Sequence, residues 1–138
     1  MTMRTAEELN ASAQQVWSFI GDFGGLQQWH PAVRSCKVQG SGIGSVRYVE
    51  LDGWYAVERL TQYDASGFVL GYEMVDCGKP QLIGVRGTVQ LEPIAADRSR
   101  IVWLSEMPAD APAELEPLLR AYYPARIAHL RAALAAAT

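Results

Sequence analysis

Apolar and polar residues alternate through much of the first 107 positions of the chain, and short polar or glycine-containing segments interrupt this alternation. The clearest stretch is 85–91, where apolar or small residues at odd positions alternate with polar residues at even positions. A period of two is typical of strands with one covered face and one solvent-facing face. We predict seven strands, at 2–9, 33–39, 45–51, 54–63, 68–75, 82–91 and 100–107. Because short turns such as Asp52-Gly53 join the last six strands, these should form an antiparallel meander.

The pattern becomes helical in the segment that follows the first strand. Ser12 has Gln15 three residues after it, as in a capping box, and apolar residues between 16 and 20 share one helical face. Three glycines between 21 and 25 end this helix, and residues 26–29 are expected to form a second short turn before Pro31.

A second helical pattern occupies the last part of the chain. Leucine, isoleucine and tyrosine residues between 115 and 134 give a broad apolar face, and Pro124 predicts a kink or break in the middle of the helix. Only this helix is long enough to cover the sheet. We therefore predict one α+β domain over residues 1–138, in which a seven-stranded antiparallel sheet curves around the long C-terminal helix and encloses a cavity.

Composition and charge narrow the possible functions. Of the 138 residues, 49% are apolar and 20% charged, as in ordinary globular domains. A net charge of −3 without basic clusters argues against a nucleic-acid partner. No apolar run is long enough to insert into a membrane, and the first residues do not form a secretory signal, so we predict a cytoplasmic protein.

The few metal-binding or redox-active side chains are isolated from one another in the sequence. Cys36 and Cys77 make neither a disulfide framework nor a zinc site, and His30 and His129 lack carboxylates at ligand spacing. We therefore predict no metal and no cofactor. His30 could act as an acid or base, although a packing and turn role beside Pro31 is favoured. For His129 we favour a solvated position.

Several short phrases in a fixed order resemble one superfamily. They are Ser12-Ala-Gln-Gln-Val-Trp17, Trp29-His-Pro-Ala-Val33, Gly44-Ser-Val-Arg47, Val57-Glu-Arg-Leu60, Tyr72 and Trp103. The chain resembles the helix-grip (SRPBCC) superfamily of START-related lipid-transfer domains, birch pollen allergens, bacterial polyketide cyclases and plant abscisic-acid receptors. It is most similar to the polyketide cyclase/dehydrase and lipid-transport branch. The resemblance spans nearly the whole chain and implies the helix-grip fold.

The receptor branch offers a comparison at the level of residues. Its Ile-Lys-Ser-Cys is similar to Val33-Arg34-Ser35-Cys36, which implies that Arg34 anchors a ligand carboxylate; an ion pair with Glu58 or a surface position is the alternative. Its Arg-Glu-Arg-Leu is similar to Val57-Glu58-Arg59-Leu60, which implies that Glu58 faces the cavity. The receptor's gate loop is absent here, so a phosphatase partner is not expected. The resemblance implies that the ligand contacts Arg34, Arg47, Val49, Leu51, Glu58, Tyr72, Met74, Leu82, Val85, Gly87, Ile101, Trp103, Leu118, Tyr122 and Arg126.

We predict that the protein is a carrier or sensor that binds a small hydrophobic molecule with a polar or acidic head group in its cavity. The alternative is a polyketide cyclase, aromatase or dehydratase in which Glu58 is the catalytic acid–base residue and Arg34 holds an oxyanion or carboxylate. A third possibility is a domain that acts through a partner protein or as a homodimer, which a large exposed apolar patch would favour.

Overall fold

The computed structural model describes residues 2–137 and contains one antiparallel sheet of seven strands. The strands are β1 (Thr2–Leu9), β2 (Val33–Gln39), β3 (Val46–Leu51), β4 (Trp54–Asp64), β5 (Val69–Cys77), β6 (Arg86–Ala95) and β7 (Arg98–Glu106). Their order in the sheet is β1-β7-β6-β5-β4-β3-β2. This confirms the predicted meander from β2 to β7, and β1 pairs with β7 at the other edge.

Helix α1 (Ala13–Ile20) begins at the predicted cap. The Gln15 amide donates to Ser12 Oγ at 3.1 Å, and the Ser12 amide donates to Gln15 Oε1 at 2.8 Å. A 3₁₀ turn (Leu26–Gln28) follows, which confirms the two short helical segments after β1. Each cap bond satisfies an amide that the first helical turn would otherwise leave without an acceptor.

Helix α2 (Leu115–Ala136) covers the concave face of the sheet with a single apolar stripe. Its buried residues recur every three or four positions, as a helix with one covered face requires. They are Leu115, Leu119, Tyr123, Ile127 and Leu130. The helix remains continuous through the exposed Pro124, so of the predicted kink or break, the break does not occur. Buried neighbours on both sides of the proline hold the helix against the sheet.

One predicted strand begins later than its apolar pattern suggested. Residues 82–85 precede β6, and Pro80–Leu82 form a 3₁₀ turn. The chain then reverses at Gly84, whose φ of 91° is accessible mainly to glycine. Leu82 and Val85 are nevertheless buried, at 5% and 4% exposure, so the turn contributes apolar side chains to the interior.

Neither helix in the described part of the chain has both the length and the apolar character needed to cross a membrane.

Candidate functional site

An arginine and a glutamate are buried together on two neighbouring strands of the sheet. Arg47 on β3 is directly opposite Glu58 on β4, and the two residues are 7% and 8% exposed. Arg47 Nε donates to Glu58 Oε1 at 2.7 Å, and Arg47 Nη2 lies 2.7 Å from the same oxygen. Arg47 Nη1 donates to the Phe23 carbonyl at 3.1 Å. The two charges therefore compensate each other in the interior, where an unpaired charge would be costly.

A cavity of about 40 Å³ lies beside this ion pair, between the sheet and α2. Most of its wall is aliphatic or aromatic, with four polar side chains. It is lined by Leu26, Trp29, His30, Arg47, Val49, Leu51, Trp54, Ala56, Glu58, Tyr72, Met74, Trp103, Tyr122 and Arg126. Since one water molecule needs roughly 10–15 Å³ on this measure, the cavity in this conformation holds a few waters or one small group.

A second cavity of about 30 Å³ lies deeper under α2. Leu82, Val85, Leu119 and Tyr123 complete its wall. Both cavities are bordered by the same four side chains, Glu58, Tyr72, Met74 and Tyr122. These four residues, which we call the partition, lie between the two cavities.

Hydrogen bonding and burial determine the protonation state of two tyrosines at the cavity walls, Tyr72 and Tyr123. Tyr72 Oη accepts a hydrogen bond from Trp103 Nε1 at 3.1 Å. Burial raises the pKa of Tyr72 well above its ordinary value and raises the pKa of Tyr123 to about 12. Both phenols are therefore neutral at physiological pH and act as hydrogen-bonding groups.

A polar stripe on α2 borders the first cavity. Tyr122, Arg126 and His129 are spaced by four and three residues, so they lie on one side of the helix. The Arg126 guanidinium carbon lies 4.1 Å from the centroid of the Tyr122 ring, and Arg126 Nη1 lies 3.0 Å from His129 Nδ1. Burial and Arg126 lower the pKa of His129. His129 is therefore neutral near pH 7 and accepts the bond from Arg126.

His30 reaches the same cavity from the loop that follows the 3₁₀ turn. Its side chain is buried, and its ring centroid is 5.4 Å from that of His129. The Ala32 amide donates to His30 Nδ1 at 3.3 Å, so the neutral ring carries its proton on Nε2. Burial, with a smaller contribution from Arg126, lowers the pKa of His30 to about 3. The favoured turn role is consistent with the Ala32 bond, and the ring also lines the cavity.

Arg34 does not reach the cavity, so the inward position inferred from the receptor branch is wrong. Its side chain is 71% exposed, and its Nε donates to Asp52 Oδ1 at 2.6 Å. The cause is a β-bulge: Val33 pairs with Leu51, Ser35 pairs with the adjacent Glu50, and Arg34 is the extra residue. The bulge reverses the inward–outward alternation before it, so Val33 is the inward residue and Arg34 points to solvent. The surface position, one of the predicted alternatives, is the one observed.

Three other predicted lining residues also lie outside the cavity walls. Ile101 is fully buried in the hydrophobic core, and Leu118 is partly buried and packs against that core. Gly87 lies behind the Tyr72 ring, which a Cβ atom at that position would overlap. Tyr72 therefore covers Gly87 and forms the wall in its place. The other predicted residues, Arg47, Val49, Leu51, Glu58, Tyr72, Met74, Leu82, Val85, Trp103, Tyr122 and Arg126, line one or both cavities; their roles in binding stay predictions.

The sequence analysis did not place several wall residues at the site. Trp54 and Ala56 precede Glu58 by four and two positions, so the strand period, counted back from the inward Glu58, would have found them. Leu119 and Tyr123 belong to the apolar stripe of α2. Leu26 begins the 3₁₀ turn, and Trp29 and His30 lie in the loop that follows it, where the segment is too short for a periodic signal.

Comparisons with known proteins agree with this geometry. Residues 1–135 match the family model described as "Polyketide cyclase / dehydrase and lipid transport". No curated protein matches the chain. An uncharacterized protein from Bacillus thuringiensis is 25% identical, with 97% of this chain and 98% of that chain covered and a TM-score of 0.85.

Two more distant structures have the same fold. A START superfamily protein from Mycobacterium smegmatis has a TM-score of 0.76 at 15% identity, with 99% of each chain covered. Ara h 8.0201 has a TM-score of 0.76 at 16% identity, with 99% of this chain and 98% of that chain covered. These similarities confirm the predicted helix-grip fold.

Proposed function

The chain belongs to the polyketide cyclase/dehydrase and lipid-transport family, and on that premise we propose that its central cavity binds a small, mainly apolar molecule with a polar head group. The protein would act as a carrier or sensor, in the cytoplasm. The observation that carries this proposal is the pair of adjoining cavities, whose walls are mostly aliphatic and aromatic but include four polar side chains. Binding pockets for small molecules usually combine an apolar wall with a few placed polar groups.

The size of the cavities indicates how a ligand would be accommodated. Volumes of about 40 and 30 Å³ admit only a small group while the partition is closed. A larger ligand would require a side chain of the partition, such as Tyr122 or Met74, to move, because the partition lies between the two cavities. Affinity would come mainly from the apolar ligand surface buried, about 25 cal/mol per Å², less the cost of moving the side chain.

A methyl NMR titration tests this proposal at the cavity itself. Met74 borders both cavities, whereas the buried Met3 on β1 lies outside both walls. Titration of ¹³C-methyl-labelled protein with small aromatic and aliphatic compounds should shift the Met74 methyl signal and leave that of Met3 in place. A panel that leaves Met74 unmoved, or that shifts both methyl groups equally, would contradict the proposal.

A variant with a filled cavity provides the matched control. Ala56→Leu places three more carbon atoms in the first cavity, and Ala95→Leu adds the same atoms at an exposed position on β6. Compounds that shift Met74 in the wild type should bind Ala95→Leu with unchanged affinity and bind Ala56→Leu about tenfold more weakly or not at all. The circular dichroism spectrum of each variant checks that it is folded.

The second candidate is an acid–base enzyme of the cyclase or dehydratase type. Glu58 favours it, because this buried carboxylate borders both cavities and would contact a ligand in either one. Arg47 binds only Oε1, so Oε2 is the oxygen available to move a proton. Glu58→Gln should then abolish turnover of a poly-β-ketone substrate while the substrate still shifts the Met74 methyl. Unchanged turnover would exclude Glu58 as the acid–base group.

A further inference from the structure

Two hydrogen-bond donors at the cavity wall have no acceptor among the described residues. They are His30 Nε2, which carries the ring proton, and Arg126 Nε, and both atoms are shielded from solvent. Buried donors without acceptors are unfavourable and rare in native proteins. Both residues line the first cavity, so a ligand bound there is the candidate source of an acceptor for these donors.

The charges around the cavity leave one positive charge without compensation. Arg47 is paired with Glu58, whereas no carboxylate of residues 2–137 lies within salt-bridge distance of Arg126. Arg126 contacts the polar side chains of His129 and Tyr122, and both are neutral. A ligand with a single negative charge would neutralise Arg126, whereas a doubly charged phosphate would leave an excess negative charge in the cavity.

The remaining wall is rich in aromatic side chains that would pack against a flat ring once the partition moves. Five of the residues around the first cavity have large aromatic side chains, namely Trp29, Trp54, Tyr72, Trp103 and Tyr122. Aromatic side chains pack against a ligand ring edge-to-face or by offset stacking and favour such a ligand beyond the area it buries.

We infer that Arg126 and His30 form the head-group site for a small aromatic monocarboxylate, whose ring lies among the aromatic wall residues. The inference rests on the proposed function, because it names the ligand class of the same cavity. It assigns the anchoring role to Arg126 on α2 and not to Arg34, which points to solvent. Arg126 Nε donates to one carboxylate oxygen, and His30 Nε2 donates a neutral hydrogen bond to the head group.

The experiment compares benzoate with two neutral compounds of the same shape, benzyl alcohol and benzamide. Affinities are measured by the Met74 methyl titration in the wild type, Arg126→Gln and His30→Phe. Arg120→Gln is the matched control, since Arg120 lies on the same helix, is exposed and pairs with Glu116. Charge-assisted hydrogen bonds are about twice as strong as neutral ones, so benzoate should bind the wild type about tenfold more tightly than benzyl alcohol.

The variants separate this inference from the proposed function. The affinity for benzoate should fall about tenfold or more in Arg126→Gln and about fivefold in His30→Phe, and it should be unchanged in Arg120→Gln. The affinity for benzyl alcohol should change by less than about twofold in all three variants. If the neutral compounds bind as tightly as benzoate, or if Arg126→Gln weakens all compounds equally, the inference is overturned and the apolar cavity proposal stands. If no compound shifts Met74, both are overturned.

Discussion

The burial of His30 predicts that the protein loses stability under mildly acidic conditions. The ring is 2% exposed, and its pKa is lowered from 6.5 to about 3, chiefly by burial. The folded state therefore keeps the neutral ring, whereas the unfolded chain binds a proton near pH 6.5. The stability that comes from keeping His30 neutral is therefore fully present above pH 6.5. It is lost as the pH falls from 6.5 towards 3, because protons then bind to the unfolded chain.

The magnitude follows from the two pKa values. Each pKa unit corresponds to about 1.4 kcal/mol, and the proton-binding difference amounts to about 1.5 units between pH 8 and pH 5. The free energy of unfolding should therefore fall by about 2 kcal/mol over this range because of His30 alone. This is a large share of the roughly 5–15 kcal/mol by which a domain is stable.

Urea unfolding at pH 8, 7, 6 and 5 measures this loss. His30→Phe removes the titrating group and keeps a flat ring. The variant will be less stable at every pH because it lacks the bond from the Ala32 amide. Between pH 8 and pH 5, however, its free energy of unfolding should fall by about 2 kcal/mol less than that of the wild type. In His129→Gln, where the less buried histidine is removed, most of the decline should remain. If the wild type and His30→Phe show the same pH dependence, the argument that His30 is held neutral by burial is refuted.

Two further predictions concern the walls of the cavity. Arg47→Met leaves the Glu58 carboxylate buried without its partner and should lower the free energy of unfolding by about 3–5 kcal/mol. Combining Arg47→Met with Glu58→Leu should recover most of this loss. Urea titration of the wild type and the two variants checks both values, and a double variant no more stable than Arg47→Met would contradict the coupling. Gly87→Ala forces the Tyr72 ring away from β6 and should cost about 1–3 kcal/mol. The same substitution should change the indole N–H signal of Trp103, which donates to Tyr72, and an unmoved signal would show that the ring stays in place.

Most of the architecture could be predicted from the sequence because it depends on local patterns. The period of two and the Asp52-Gly53 turn predicted β3 and β4 as a hairpin, and Ser12 and Gln15 predicted the start of α1. The resemblance to the receptor branch implied that Arg47 and Glu58 face inward, and the structure agrees because β3 and β4 keep their alternation where no bulge interrupts their pairing.

The position of Arg34 depended on the tertiary structure. A bulge changes which residues face inward. It arises from the register in which β2 and β3 pair, and the sequence of neither strand alone predicts that register. Pro124 illustrates the opposite case, because a local rule predicted a kink or break and the helix, with Tyr123 and Ile127 packed in the core, is not broken there.

By itself the sequence determined the order of the elements, the fold and most of the apolar wall, because short-range periodicity carries that information. Only the tertiary structure decided which polar groups meet at the cavity. His30 and Arg126 are 96 residues apart in the chain, and the absence of an acceptor for either donor is visible only once α2 packs against the loop that carries His30. The head-group site is thus a product of packing, since a missing partner is a property of the assembled interior and not of any segment.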